Sequence, residues 1–220
     1  MLYLVPTPIG NLSDITLRAI EVLKTVDIVL AEDTRQTGKL LKAHQIETSL
    51  QSFHSHNEHK KIESIVSNMK GGVSYALVSD AGSPGISDPG FLIARECQRQ
   101  SIVVSALPGP TAFVPALTAS GLASDKFYFE GFLPQKKGRQ TRWKALQLMD
   151  CTIVLYESPY RLMKCLKEIK EYLGDQREVC VAREISKIHE EAKTMIIDDM
   201  ILYYSEKQAI KGEIVVVIGK

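Results

Sequence analysis

The residues best placed to do chemistry lie in one stretch, Leu77 to Gly90, LVSDAGSPGISDPG. An apolar run, Ala76, Leu77 and Val78, ends there, and Asp80 is the first acid after it. Gly82, Gly85 and Gly90 let backbone come close to a ligand, while Pro84 and Pro89 stiffen the path. A long surface turn explains one such loop equally well. Two loops of the same make also follow apolar runs: Pro6-Thr7-Pro8-Ile9-Gly10-Asn11 and Leu107-Pro108-Gly109-Pro110-Thr111. In an open α/β sheet the loops at strand carboxyl ends converge on one crevice, where ligands bind. Glu32, Asp33 and Arg35 stand at the end of another apolar segment, Val26 to Ala31. Asp33 or Thr34 can cap the following helix, leaving Arg35 a surface charge. The strand-end position suits a site equally well. Glu157, after Thr152 to Tyr156, has the same standing.

The Gly/Pro loops match neither G-x-G-x-x-G after the first strand nor G-x-x-x-x-G-K-[ST]. A dinucleotide fingerprint and a P-loop are therefore excluded. Proline-rich walls with few cations fit a small, partly apolar ligand read by backbone groups and one or two acids. His54, His56 and His59 are close in sequence, but no cysteine or carboxylate set completes a tetrahedral pattern, so no metal is expected. Lys136, Lys137, Arg139, Arg142 and Lys144 form the densest basic run and contain no acid. A solvated face is the default for such a run. Pro134 and Gly138 make it a loop of the kind that grips phosphates.

These candidates need elements to hold them. Leu2–Val5, Val26–Ala31, Val73–Val78 and Ile102–Ala106 read as strands. Helices are expected from Ser13–Asp14 onward, at about 36–44, after the stretch 53–59 and running to about Met69, at 91–99 and at 112–119. This strand–helix alternation predicts a doubly wound α/β half. Gly121 to Asp125 is the expected boundary, giving domains 1–120 and 121–220. In the second half, strands are expected at 127–131, 152–156, 179–182, 194–197 and 213–218. One helix is expected to hold Trp143, Leu146 and Leu148, and another to run from about Tyr160 to Leu173.

The chain has 220 residues, enough for one large or two small domains. Its net charge of +1 gives no global pull toward nucleic acid or membrane, so any such preference must be local. Cys97, Cys151, Cys165 and Cys180 form no C-x-x-C pair and read as reduced thiols of a cytosolic protein. No signal peptide is expected before the strand at Leu2, and no apolar run reaches membrane-spanning length.

Several blocks taken together resemble the ribosomal RNA small-subunit methyltransferase I family: PTPIGNLSDITLRAIEVL, AEDTR, LVSDAGSPGISDPG, LPGPTAFVPALTASGL, FEGFLPQKKG, LYESPYRL, REISKIHEE and KGEIVVVIG. That family sits in the tetrapyrrole-methylase, or class III, superfamily. The resemblance covers nearly the whole chain, with the blocks in the family's order. It implies a two-domain α/β fold with the ligand cleft between the domains, a cytoplasmic homodimer and S-adenosylmethionine as donor. The acceptor would be the 2'-hydroxyl of a cytidine in 16S rRNA of the small ribosomal subunit. Donor loops would fall on Pro8 and Gly10, on Asp80, Gly82, Ser83 and Ile86, and on Thr111 and Ala112. Glu32, Asp33 or Glu157 would then handle the hydroxyl proton and Arg35 a neighbouring phosphate, with the basic run on the RNA. Many members carry a small further C-terminal domain, and Thr194-Met195 stands where members often have Arg-Gly. Three alternatives are a tetrapyrrole C-methyltransferase, a different RNA methylase on the same scaffold, and a non-catalytic ribosome-binding protein that retains the donor pocket.

Overall fold

Tyr75–Val78 (β4) is buried along its whole length, which requires apolar partners on both faces of its sheet. Its side chains alternate accordingly. Tyr75 and Leu77 join one cluster with Leu2, Leu30, Phe53, Ile65, Met69 and Ile93. Ala76 and Val78 join another with Ala19, Leu23, Val29 and Leu41. The computed structural model describes all 220 residues, in two units, Met1–Thr111 and Ala112–Lys220.

The first unit is a sheet of β1 (Leu2–Leu4), β2 (Ile28–Ala31), β3 (Ser49–Ser52), β4 and β5 (Val104–Ala106). Its order is β3-β2-β4-β1-β5, with every pairing parallel. The helices are α1 (Leu17–Thr25), α2 (Thr34–Ala43), α3 (Glu58–Lys70) and α4 (Phe91–Arg99). α1 follows β1 and packs on one face of the sheet, whereas α4 follows β4 and packs on the other. Loops of these two adjacent strands therefore part to opposite faces, the switch point at which open α/β sheets bind ligands. The expected doubly wound half is present. β3 was not expected from the sequence: Ser-Leu-Gln-Ser is a polar edge strand without the apolar alternation that marks buried ones.

The second unit holds α5 (Phe113–Ala119), β6 (Phe127–Phe132), α6 (Arg139–Leu146), β7 (Thr152–Glu157), α7 (Leu162–Leu173), β8 (Glu178–Arg183), β9 (Glu191–Ile196), α8 (Ile197–Ser205) and β10 (Ile214–Ile218). Its sheet runs β6-β7-β10-β8-β9; β6 and β7 are parallel, and the remaining pairs antiparallel. α6, α7 and α8 cover one face around Trp143, Leu166 and Tyr204. α5 covers the other, setting Ala116 and Leu117 against Val154, Cys180 and Val217. That packing puts the division at Thr111/Ala112 rather than at Gly121–Asp125. α8 replaces what reads as the end of a strand at Ile197, because the run Met200 to Tyr204 has no clean period. Leu148 lies beyond α6 and is 85% exposed. α7 begins at Leu162, leaving Tyr160 in a turn before it. No helix is long and apolar enough to cross a membrane. The cysteines are all free.

Candidate functional site

Three loops of the first unit are tied together at the carboxyl ends of β1, β4 and β5. The Thr7 amide donates to the Gly82 carbonyl and the Gly82 amide to the Thr7 carbonyl, both at 2.9 Å. Buried Thr7 also donates its hydroxyl to the Ser79 carbonyl at 3.0 Å, and Ser79 Oγ donates to the Gly82 carbonyl at 3.0 Å. The β5 loop is attached by Ser83 Oγ, which donates to the Pro110 carbonyl at 3.1 Å. Glycine is required where loops cross. A Cβ on Gly109 would lie 2.7 Å from Pro6 Cβ, and Gly82 has a left-handed φ of +82°. Pro8, Gly82, Ser83 and Thr111 are thus gathered from three strand ends. Gly10 and Ile86 flank them, the Ile86 amide donating to the Ser83 carbonyl at 3.3 Å. Ala112 opens the second unit.

Beside these loops stands a group of acids. Asp80 is exposed, and its Oδ1 accepts the Asp33 amide at 2.9 Å, linking the ends of β4 and β2. Asp88, half-buried in the same loop, has its carboxyl pushed up to about 7 by burial and by the Glu32 and Asp80 carboxylates. Glu32 is raised by burial and then by Asp80, while His54 acts the other way. The ion pairs of the structure include none of Glu32, Asp80 and Asp88. Carboxyls that crowd one another partly out of water keep their protons to higher pH, which marks a place where proton transfer or cation binding is useful. Sequence reasoning missed Asp88. Its signal was a repeat, Ser87-Asp88-Pro89-Gly90 restating Ser79-Asp80-Ala81-Gly82.

Asp33 has a different occupation. Its Oδ1 accepts the Arg35 amide at 2.8 Å and Arg35 Nε at 3.0 Å, and Oδ2 pairs with the guanidinium at 2.7 Å. It is the N-cap of α2. Those hydrogen bonds hold its carboxyl down at about 2. Arg35 itself is 85% exposed. His54 and His56 have ring centroids 5.9 Å apart, and no group of three or more ligating side chains is assembled for a metal.

In the second unit the expected candidates separate. Glu157 is not a free acid: its side chain is 0% exposed and lies 3.2 Å from Arg139 and 2.8 Å from Arg161. It also accepts the Ser158 amide at 2.7 Å. A carboxylate held this way stabilises structure and cannot reach a substrate. Arg139, expected on the RNA-facing loop, is 3% exposed, and its guanidinium pairs with Glu157 and, at 2.6 Å, with Glu168. It also donates to the Pro134 carbonyl at 3.2 Å. Arg142 is bound through Nε to Glu130 at 2.8 Å and donates to the Tyr128 hydroxyl at 3.0 Å. Only Lys136, Lys137 and Lys144 of the basic run are exposed and outside every ion pair.

Comparison with known proteins agrees with this architecture. The family described as tetrapyrrole (corrin/porphyrin) methylases matches residues 1–200. A protein of Synechocystis sp. named ribosomal RNA small subunit methyltransferase I is 47% identical over 220 residues, covering all of this chain and 78% of its own. A protein of the same name from Thermotoga maritima is 46% identical, with 99% of this chain and 97% of its own covered. Among solved structures, uroporphyrin-III-C-methyltransferase from Thermus thermophilus superposes with a TM-score of 0.69 at 21% identity, covering 100% of this chain and 94% of that one. Cobalt precorrin-4 methyltransferase gives 0.66 at 17%, covering 99% and 94%. At those identities the likeness is one of fold.

Proposed function

This chain belongs to the ribosomal RNA small subunit methyltransferase I family, within the tetrapyrrole methylases, and from that premise we propose that it methylates the 2'-hydroxyl of a cytidine in 16S rRNA with S-adenosylmethionine as donor. The proposed setting is the cytoplasm, with a homodimer acting on the small ribosomal subunit. The observation that carries the reading is similarity of 46–47% along the whole chain to proteins named for small-subunit rRNA. The tetrapyrrole enzymes share only the fold, at 21% identity or below, so a tetrapyrrole C-methylase has less in its favour.

The first unit suits such a donor. Its sulfonium and amine are cationic, and Glu32, Asp80 and Asp88 supply negative charge without a competing ion pair. Glycine at the crossings lets the loop backbones approach closely, Gly109 against Pro6 and Gly82 against Ile9. Pro8, Gly10, Asp80, Gly82, Ser83, Ile86, Thr111 and Ala112 would hold the donor, which supplies an activated methyl group when bound. Asp80 would accept hydrogen bonds from donor hydroxyl or amine groups. Asp88, with its carboxyl near 7, and Glu32 would take the ribose hydroxyl proton, since a base works best near the operating pH. Positioning of the hydroxyl supplies the rest. Arg35 would hold a neighbouring phosphate.

Incubation of the protein with methyl-labelled donor and purified small subunits, followed by nucleoside mass mapping, tests the reading. Label in a 2'-O-methylcytidine is expected. Label absent from RNA but present in a uroporphyrinogen acceptor would overturn it. Sedimentation at micromolar concentration tests the dimer.

A further inference from the structure

One edge of the second sheet gathers features that neither the donor loops nor the acids use. β6 is parallel to β7, and β7 and β8 both run antiparallel to β10. All three therefore point the same way. Phe132 lies opposite Tyr156, and Ile214 opposite both Glu157 and Arg183, so the carboxyl ends of β6, β7 and β8 share one edge. The loops 133–138 and 158–161 leave it side by side, and buried Arg139 fastens them to each other. It donates to the Pro134 carbonyl in one and to Glu157 Oε2 at the root of the other.

The second loop is a tight turn, closed by the Arg161 amide donating to the Ser158 carbonyl at 2.9 Å. Pro159 and Tyr160 are its central residues, and Pro159 fixes its own φ. Arg161, at the base of the turn, lies 2.8 Å from the Glu157 carboxylate. On this rigid mount Tyr160 is 94% exposed. It belongs to none of the apolar clusters and none of the ring pairs. Phe132, at the end of β6, is 55% exposed. Lys136 and Lys137 are exposed on the adjoining loop.

A bare aromatic ring on a stiff turn, next to lysines with no carboxylate partner, is the composition of a single-strand RNA seat. Bases stack on the ring and phosphates meet the cations. We propose that Tyr160 is a stacking platform for an unpaired base of the rRNA substrate, and that Lys136 and Lys137 hold the phosphates beside it. This rests on the rRNA reading above. It gives the substrate requirement a physical form: the stretch of rRNA seated on Tyr160 is unpaired when bound. Arg139 and Glu157 act as positioning residues that set the angle between the two loops.

The test measures affinity and catalysis separately. Anisotropy of a labelled 12-nucleotide unpaired RNA, and KM for small subunits, are determined for wild type, Tyr160→Ala and Tyr160→Phe. Tyr160→Ala is expected to weaken both by about tenfold, and Tyr160→Phe, which keeps the ring, to return within about twofold of wild type. Donor affinity by calorimetry and the melting temperature should not move, because the side chain packs on nothing. Lys136→Gln with Lys137→Gln should flatten the dependence of log affinity on log salt by roughly 0.7 per lost contact, whereas Tyr160→Ala leaves that slope alone. Unchanged affinity and KM in Tyr160→Ala, or a Tyr160→Phe as weak as the alanine variant, would overturn the platform. A wild type that binds RNA through Tyr160 yet transfers no methyl group would keep the platform and overturn the methylation reading. A wild type with no affinity for either RNA probe would overturn both.

Discussion

At the end of β4, Asp80 and Asp88 stand with Glu32 of the neighbouring β2 end, three acids outside every ion pair. At the end of β7, Glu157 lies wholly buried between Arg139 and Arg161. Topologically the two places are alike: each is the carboxyl end of an interior strand, followed by a loop and a helix. Their electrostatics are opposite. A buried charge is tolerated when it is paired and hydrogen-bonded, and Glu157 meets that condition. Half-buried acids that crowd one another cost stability, and such costs concentrate where chemistry needs them. Strand-end position alone therefore does not assign an acid; the charges around it do.

The sharpest way to break the comparison is at Arg139. Arg139→Ala leaves Glu157 with Arg161 and strands part of the charge on Glu168. Removing one partner of a buried pair costs about 3–5 kcal/mol, read as a lower urea midpoint with unchanged slope. A loss below about 1 kcal/mol would place Arg139 among ordinary surface arginines and return it to the RNA surface.

Asp88→Asn comes next, in turnover rather than stability. The expected loss in kcat is about 10²-fold with donor affinity kept, as for removal of a general base. The pH dependence has a definite sign. With the folded carboxyl near 7 and its ordinary value 3.8, the folded state binds the extra proton. Stability from this group is therefore fully present below about 3.8 and lost as pH rises through about 7. Activity runs the other way, because the base must be ionised: kcat/KM should rise with pH through about 7 in wild type. In Asp88→Asn that limb should vanish, and the variant should melt higher than wild type at pH 8. A variant less stable at pH 8, with an unaltered pH profile, would make Asp88 a turn residue.

Much of this was legible in the chain and some was not, for reasons that separate local from distant chemistry. The Thr7, Gly82 and Pro110 loops could be read because glycine and proline report on their own backbone. β3 could not, since an edge strand of Ser-Leu-Gln-Ser carries no apolar period. Arg139 was misread as a loop cation because its partners lie 18 and 29 residues away. Yet a signal existed: Arg139, Trp143 and Leu146 are spaced i, i+4, i+7, so the arginine occupies the buried stripe of α6. Likewise Asp88 sits in the Gly/Pro-rich stretch after β4, but nothing local tells that Glu32, from another strand, is its neighbour.

Asp80→Ala should have a smaller effect than either variant above. Its carboxylate is exposed and already accepts the Asp33 amide, so one charge-assisted hydrogen bond to the donor is at stake. About tenfold in donor affinity is expected by calorimetry. Melting should change little, since water can replace the carboxylate at an exposed amide. Unchanged donor affinity would leave Asp80 as a fastener between the β2 and β4 loops.

The smallest effects are expected at Asp33 and Arg35, the pair that mixes both kinds of strand-end acid. Asp33 sits beside the unpaired group, yet it is satisfied locally by the Arg35 amide and guanidinium. Its carboxyl is held at about 2 against an ordinary 3.8. The sign is therefore the reverse of Asp88: the stability it contributes is present above about 3.8 and is lost as pH falls through about 2. Asp33→Ala should lower the melting temperature modestly at pH 7, through the lost helix cap, and that deficit should shrink as pH falls from 4 toward 2. Arg35→Ala keeps the cap, because the backbone amide of residue 35 still donates to the Asp33 carboxylate, and an exposed ion pair adds little; its melting temperature should match wild type. If Arg35 also holds a phosphate, KM for small subunits should rise by about threefold in Arg35→Ala, with a shallower salt dependence and unchanged donor affinity. Wild-type KM and salt slope would confine Arg35 to serving the cap, and Asp33 would then join Glu157 as a structural acid at a strand end.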